Sequence, residues 1–299
     1  VVDVAVPGTV SAATLKPAGN GEKSVDISFQ APTLDADGAA LAKISSINVY
    51  REDMKKNVKT FENPAPGEKL SFTDTVEKSG MYTYKITVNN EGGSGDSVTR
   101  EAYVGYDVPA EVTDIKAVSD GSKVKITWTA PTEGVHGGYV DTQNLSYSIT
   151  RVNEDTPFAT VKGTEFTDDK INYENKQQEL NLYTIKAINS DAKSEGAKSN
   201  LVISGEPYMA PFDESFAYAS TYLYPWYSEK TFNGEEKYWD VRTYGFSPQT
   251  YALDDDAGLI LFRSYSAPKG AQEYFLSPLF DISGMVHPIF VYHVYHTSS

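Results

Sequence analysis

Apolar and polar residues alternate along two stretches of the chain that stand 99 positions apart. In residues 25–32, VDISFQAP, one face carries Val25, Ile27 and Phe29 and the other Asp26, Ser28 and Gln30. Residues 124–131, VKITWTAP, repeat the pattern with Val124, Ile126 and Trp128 against Lys125, Thr127 and Thr129. A period of two with one polar face predicts a half-buried strand. The aromatic residue at the third inward position calls for an apolar core above it. Each strand should stop at its Ala-Pro, because proline has no N–H to give to a ladder.

The flanking pattern repeats as well. Alternating stretches at residues 10–15 and 112–118 are closed by Gly19-Asn20-Gly21 and by Asp120-Gly121. These residue types supply the positive-φ positions of hairpin turns. Residues 47–51 (INVYR) answer to 147–151 (YSITR), 72–74 (FTD) to 166–168 (FTD), and 82–90 (YTYKITVNN) to 181–189 (NLYTIKAIN). The strands stay in step and the insertions fall between them, as in a β-sandwich with variable surface loops.

This ordered set, present twice over residues 7–206, resembles the fibronectin type III family. The resemblance implies two sandwiches of seven strands and about 100 residues each. Tyr82 stands at the family's corner tyrosine, whose hydroxyl is expected to bond upstream backbone. The second copy has Asn181 there, and Tyr173 in its longer preceding loop is the candidate replacement. The expected boundaries are residues 1–107 and 108–206, joined through Tyr106-Asp107-Val108-Pro109 and followed by Gly205-Glu206-Pro207. Junctions this short, with a proline, are expected to be semi-rigid.

Composition changes after Pro207. Residues 207–299 hold 22 of the 37 aromatic residues and 5 of the 26 basic ones. They include Trp226, Trp239, an expected buried strand at 259–262 (LILF), the step 275–283 (FLSPLFDIS) and an expected aromatic strand at 288–292 (PIFVY). This order resembles the jelly-roll modules called MAM-like, cleaved-adhesin or choice-of-anchor J domains of exported bacterial proteins. A jelly roll takes about eight strands, and about half of one fits here at ordinary strand lengths. The expected fold class is therefore all-β: two tandem fibronectin III-like sandwiches followed by a partial jelly-roll-like sandwich at 207–299. Its missing strands are expected from sequence beyond Ser299, unless the fold is smaller.

The formal net charge of −15 is spread along the whole chain. It speaks against nucleic acid, whose phosphates need clustered Lys and Arg, and against anionic membrane surfaces. With no cysteine, disulfides and thiolate chemistry are excluded. The apolar run at 285–295 is broken by His287, Pro288 and His293 and is too short to span a membrane.

Candidate chemistry is sparse. Asp254-Asp255-Asp256 lacks the alternating ligands and terminal Glu of a calcium loop and reads as a solvated turn. The jelly-roll resemblance implies structural calcium, for which Glu214 is the candidate ligand with Asp213 beside it. His287, His293 and His296 do not share one face of a strand, since positions three apart point opposite ways. The aromatic run ending in Tyr224, Trp226 and Tyr227 offers rings of the kind that stack on sugars, and it equally suits core packing. No nucleophile elbow, phosphate loop or zinc-protease helix is present. Gly92-Gly93-Ser94-Gly95 reads as a flexible hairpin loop.

The expectation is a non-catalytic, secreted or surface-exposed bacterial protein. Its sandwiches would space a module that adheres to a glycan or an extracellular protein. The alternative is the accessory portion of a secreted hydrolase, a glycosidase or protease with its catalytic domain elsewhere.

Overall fold

The computed structural model describes residues 4–151, 154–171, 178–217, 226–228, 238–245, 249–252 and 258–295. Among these the fold is all-β, with no helix. The chain gathers into two compact units. One comprises Val1–Thr113, Ala130–Ser148 and Lys186–Gly196; the other comprises Asp114–Thr129, Ile149–Ile185 and Ala197–Ser299.

The first repeat forms strands β1 (Ser11–Pro17), β2 (Ser24–Gln30), β3 (Ser46–Arg51), β4 (Lys56–Glu62), β5 (Lys69–Thr75), β6 (Gly80–Asn90) and β7 (Gly93–Val104). They make one sheet in the order β1-β2-β5 and a second in the order β4-β3-β6-β7. Val25, Ile27 and Phe29 of β2 are buried, as their spacing requires, and face a core with Ile47 and Val49 of β3 and Tyr84, Ile86 and Val88 of β6. Phe61 of β4 reaches across to meet Phe29 edge-on at 5.7 Å and Phe72 of β5 at 6.1 Å. Each fully buried side chain of this size contributes about 1.5–3 kcal/mol. The turn before β2 uses Gly21 twice over: its φ is +80°, and a Cβ there would lie 2.6 Å from the Tyr106 ring.

Tyr82 behaves as the resemblance implies, its hydroxyl donating to Lys78 O at 2.7 Å. The glycine-rich segment differs from expectation. Asn90 pairs directly with Gly93, so the turn is the two residues between them; Gly93 and Ser94 are already ladder residues of β7, and Gly95 lies in β7 at a register shift. The glycines serve close approach there, since a Cβ on Gly92 or Gly95 would collide with the carbonyl oxygen of Val4 or Pro7.

The second repeat contains β8 (Thr113–Ser119), β9 (Val124–Thr129), β10 (Ser146–Arg151), β11 (Ala159–Val161), β12 (Glu165–Asp168), β13 (Glu179–Asn181), β14 (Tyr183–Asn189), β15 (Ala192–Lys193), β16 (Ala197–Lys198) and β17 (Val202–Ser204). One sheet runs β12-β9-β8; the other runs β11-β10-β14, with β15 and β16 both pairing β14, and β13 pairs β17. The strand order reproduces that of the first repeat: a fibronectin III-like sandwich built twice. Val124, Ile126 and Trp128 are buried like their counterparts. Phe158 bridges the layers, 5.7 Å from Phe166 and 6.3 Å from Tyr183. At the corner position Asn181 donates to Ser204 Oγ at 2.7 Å; Tyr173 lies outside the described residues.

The remaining strands are short: β18 (Tyr208–Met209), β19 (Tyr227–Ser228), β20 (Trp239–Arg242), β21 (Tyr244–Gly245), β22 (Thr250–Tyr251), β23 (Leu259–Phe262), β24 (Phe275–Leu276) and β25 (Phe280–Asp281). They pair two by two, β18-β25, β19-β24, β20-β23 and β21-β22. The run 259–262 is a strand as expected, yet half-buried, because among the described residues its only ladder partner is β20. The expected strand at 288–292 is not formed: those residues are exposed and no described strand pairs with them. Of the side chains described after Pro207, Tyr238 and Pro278 are the buried apolar ones, Tyr238 at 6% exposure.

Candidate functional site

The tail's aromatic residues form a connected cluster. Phe216 meets Trp226 edge-on at 5.0 Å, Trp226 stacks on Phe275 at 5.9 Å, and Phe275 leads to Trp239 at 5.8 Å. Trp239 packs in turn on Phe262 at 5.0 Å. Trp226 is thus half-buried between two other rings. Of its two expected companions, Tyr224 lies outside the described residues and Tyr227 is described only as a backbone partner of Leu276.

Trp239 is fixed from the other side. Its Nε1–H donates to Glu273 O at 2.9 Å, and Glu273 Oε2 accepts the Tyr238 N–H at 2.6 Å. Beside this ring an open groove of about 490 Å³ is lined by Trp239, Phe262, Ala271, Gln272, Glu273 and Tyr274. Tyr274 is 66% exposed, so its ring is available to a ligand. The groove is shallow and open to solvent, so a ligand there would meet one lined face and would not be enclosed as in a small-molecule pocket. Sequence reasoning passed over this groove because its residues come from three separate segments.

Glu214 Oε1 accepts the Phe216 N–H at 2.7 Å, while Oε2 is buried without a hydrogen-bond partner among the described residues. Asp213 is exposed. No three acidic or histidine side chains converge among the described residues, so these alone do not make up a calcium site, which takes six to eight oxygens. His287 and His293 are exposed; His296 and the Asp254-Asp255-Asp256 run lie outside the described residues.

The most strongly perturbed ionisable groups sit in the sandwiches, in a constellation that both repeats carry. In the first, Arg51 Nη1 and the Tyr84 hydroxyl both donate to Asp74 Oδ2, at 2.7 and 2.8 Å. In the second, Arg151 donates to both oxygens of Asp168 at 2.9 and 2.6 Å, and the Tyr183 hydroxyl adds a bond of 2.9 Å. Burial, then the adjacent carboxylate, pushes both tyrosine hydroxyls up. Burial alone would raise Asp168; the hydrogen bonds from Arg151, Tyr183 and the Lys170 N–H outweigh it and hold the carboxyl below its ordinary value. The signal was present in the sequence: Arg51/Arg151, Asp74/Asp168 and Tyr84/Tyr183 recur at matching places in the two repeats.

A second ionic centre occupies the segment after β7. Asp107 is fully buried. Its carboxylate accepts from the N–H groups of Val108, His136 and Gly138 at 2.7, 2.9 and 2.8 Å and from His136 Nδ1 at 2.7 Å. The His136 ring stacks on Tyr103 of β7 at 5.0 Å. Asn189 Nδ2 donates to Asp107 O and Tyr139 O at 2.8 and 3.0 Å. Burial would raise the Asp107 carboxyl, but these donors lower it below the usual carboxylate range.

No protein-family profile and no curated protein matches the chain. Among solved structures, the crystal structure of chicken CNTN1 FN1-FN3 domains is similar over 68% of this chain and 69% of that one, at 12% identity and a TM-score of 0.27. The fibronectin III-like assignment accordingly rests on the strand orders and buried faces of the two repeats.

Proposed function

We propose that this chain is a non-catalytic, extracellular recognition protein. Its two sandwiches act as a scaffold, and its aromatic-rich tail, a partial jelly-roll-like body, attaches to a neutral glycan. The observation that carries this reading is the groove beside Trp239. The indole is held in place by Glu273, and an exposed Tyr274 and Gln272 stand next to it. Flat rings stack on the apolar faces of sugars, and an amide supplies both a donor and an acceptor to sugar hydroxyls. The acidic balance of the chain disfavours anionic ligands.

The hydrogen-bonded carboxylates of the sandwiches fit the same reading. Asp74, Asp107 and Asp168 each accept several structural hydrogen bonds, which tie carboxylates to the scaffold rather than present them to a substrate. Calcium remains part of the proposal through Glu214, whose Oε2 would be one ligand oxygen.

A glycan array probed with the 299-residue chain tests the idea. Binding to neutral oligosaccharides, weakened at least tenfold by Tyr274→Ala or Gln272→Ala, is the expected result. Silence across the array removes the glycan reading. Thermal melting with and without calcium, in wild type and Glu214→Ala, tests the metal; an unchanged wild-type transition removes it.

A further inference from the structure

The two repeats build the same turn, after β2 and after β9, and close it with carboxylates from different places in the chain. Residues 33–39, TLDADGA, answer to 132–138, TEGVHGG, at the offset of 99 that the preceding strands keep. Gly38 and Gly137 have φ of +85° and +72°, and each donates its N–H to the carbonyl three residues back at 3.2 Å. The chain entering each repeat meets its turn in the same way. Ala36 N–H donates to Val6 O and Val135 N–H to Val108 O, both at 2.9 Å. The Asn90 and Asn189 amides donate to Ala5 O and Asp107 O, both at 2.8 Å. Ala5 and Asp107 are therefore equivalent positions.

In the first turn Asp35 Oδ1 accepts the N–H groups of Asp37 and Ala39, at 3.0 and 2.9 Å. That turn carries its own cap, as aspartate commonly provides. In the second, the counterpart of Asp35 is Gly134, and Asp107 Oδ2 takes over its role toward His136 and Gly138. Glycine is required at 134, because a Cβ there would collide with that same oxygen. The other oxygen of Asp107 is held by the Val108 N–H and by His136 Nδ1, and the His136 ring lies on Tyr103 of β7. The segment Ala130–Ser148, which contains the second turn, belongs to the same compact unit as the whole first repeat.

We propose that Asp107 is a latch. It makes the order of the 133–139 loop conditional on the seating of the linker, whereas the equivalent turn of the first repeat holds itself. Unseating the linker takes one acceptor from four donors in a single step, so the loop lets go as a unit. Its release uncovers the face of the Tyr103 ring and leaves the His136 imidazole unpaired. A perturbation of the first repeat that shifts the linker is thereby passed to a loop of the second.

Single-residue amide exchange tests the latch. Asp107→Gly should speed exchange of the His136 and Gly138 amides by about tenfold or more, the lower end for lost hydrogen bonds to a charged group. Adding Gly134→Asp returns the cap to the turn once the Asp107 side chain is gone. It should bring both amides back to near their wild-type rates while the Val108 amide stays fast. Gly21→Ala perturbs the linker from within the first repeat, since its Cβ would lie 2.6 Å from the Tyr106 ring. It should speed the two loop amides in the wild-type background and leave them unchanged in the double variant. Protected β9 amides report in each variant that the second repeat is folded. Loop amides indifferent to Asp107→Gly, no recovery on adding Gly134→Asp, or equal acceleration by Gly21→Ala in both backgrounds overturns the proposal.

Discussion

Removing Asp168 should cost the second sandwich about 3 kcal/mol, the lower end of the range for breaking a buried ion pair. The Asp168 side chain is 1% exposed and holds two Arg151 nitrogens, the Tyr183 hydroxyl and the Lys170 N–H. In Asp168→Ala those donors lose their acceptor together. The Arg151 guanidinium, 25% exposed on its side chain, recovers some hydration and the Tyr183 hydroxyl does not, which places the cost at the lower end. Amide exchange of β9 and β12 reads the loss locally: at 1.4 kcal/mol per factor of ten, it should accelerate about a hundredfold. The double variant Arg151→Met/Asp168→Leu removes the ion pair as a unit and should recover part of that protection, because an apolar pair carries no desolvation cost while the Tyr183 hydroxyl still lacks its acceptor. The pH dependence has a fixed sign. The folded carboxyl lies below its unfolded value, so its contribution is complete above the unfolded value, about 3.9, and is lost as pH falls through the folded one. Wild-type protection in Asp168→Ala, or a double variant worse than the single, would refute the reasoning.

Trp128→Ala should destabilise the second repeat by about 3–5 kcal/mol as a core truncation, measured as a fall in urea midpoint. Tyr82→Phe removes the bond to Lys78 O and should cost about 0.5–1.5 kcal/mol, seen as faster exchange of the β6 amides. Asp107→Asn should expose the His136 and Gly138 amides to exchange at neutral pH; in the wild type the same amides should open only as pH falls below about 4, since the folded carboxyl is depressed.

The sandwiches were legible because their strands obey a period of two with strong alternation, and because the pattern occurs twice, so Phe29 and Trp128 vouch for each other. The corner tyrosine Tyr82 followed from the same alignment. What escaped was polar and non-local. Arg51 ends a strand of alternating burial on the inward face shared with Ile47 and Val49, and the partner that makes a buried guanidinium tolerable there, Asp74, arrives only when β5 brings it within 2.7 Å. Asp107 reads as a linker residue, and only folding supplies its four donors. The tail was harder to read because aromatic residues there serve both core and surface. Trp226 and Trp239 each lie between two other rings, and Trp239 borders a groove as well. The strand expected at 288–292 had the right side chains and no described neighbour to bond.

The buried Gln178 amide has a consequence for force. Its oxygen accepts the Leu279 N–H at 2.7 Å and its nitrogen donates to Leu279 O and Glu206 O at 2.9 and 3.1 Å. Tension applied along the polypeptide reaches Leu279 through that side chain together with the Tyr208 N–H, which donates to Leu279 O at 2.9 Å, and the short β18-β25 ladder beside it. Stretching should rupture this clip and the β18-β25 ladder together, releasing the length held between them in one step, and Gln178→Ala would lower the force at which that step occurs.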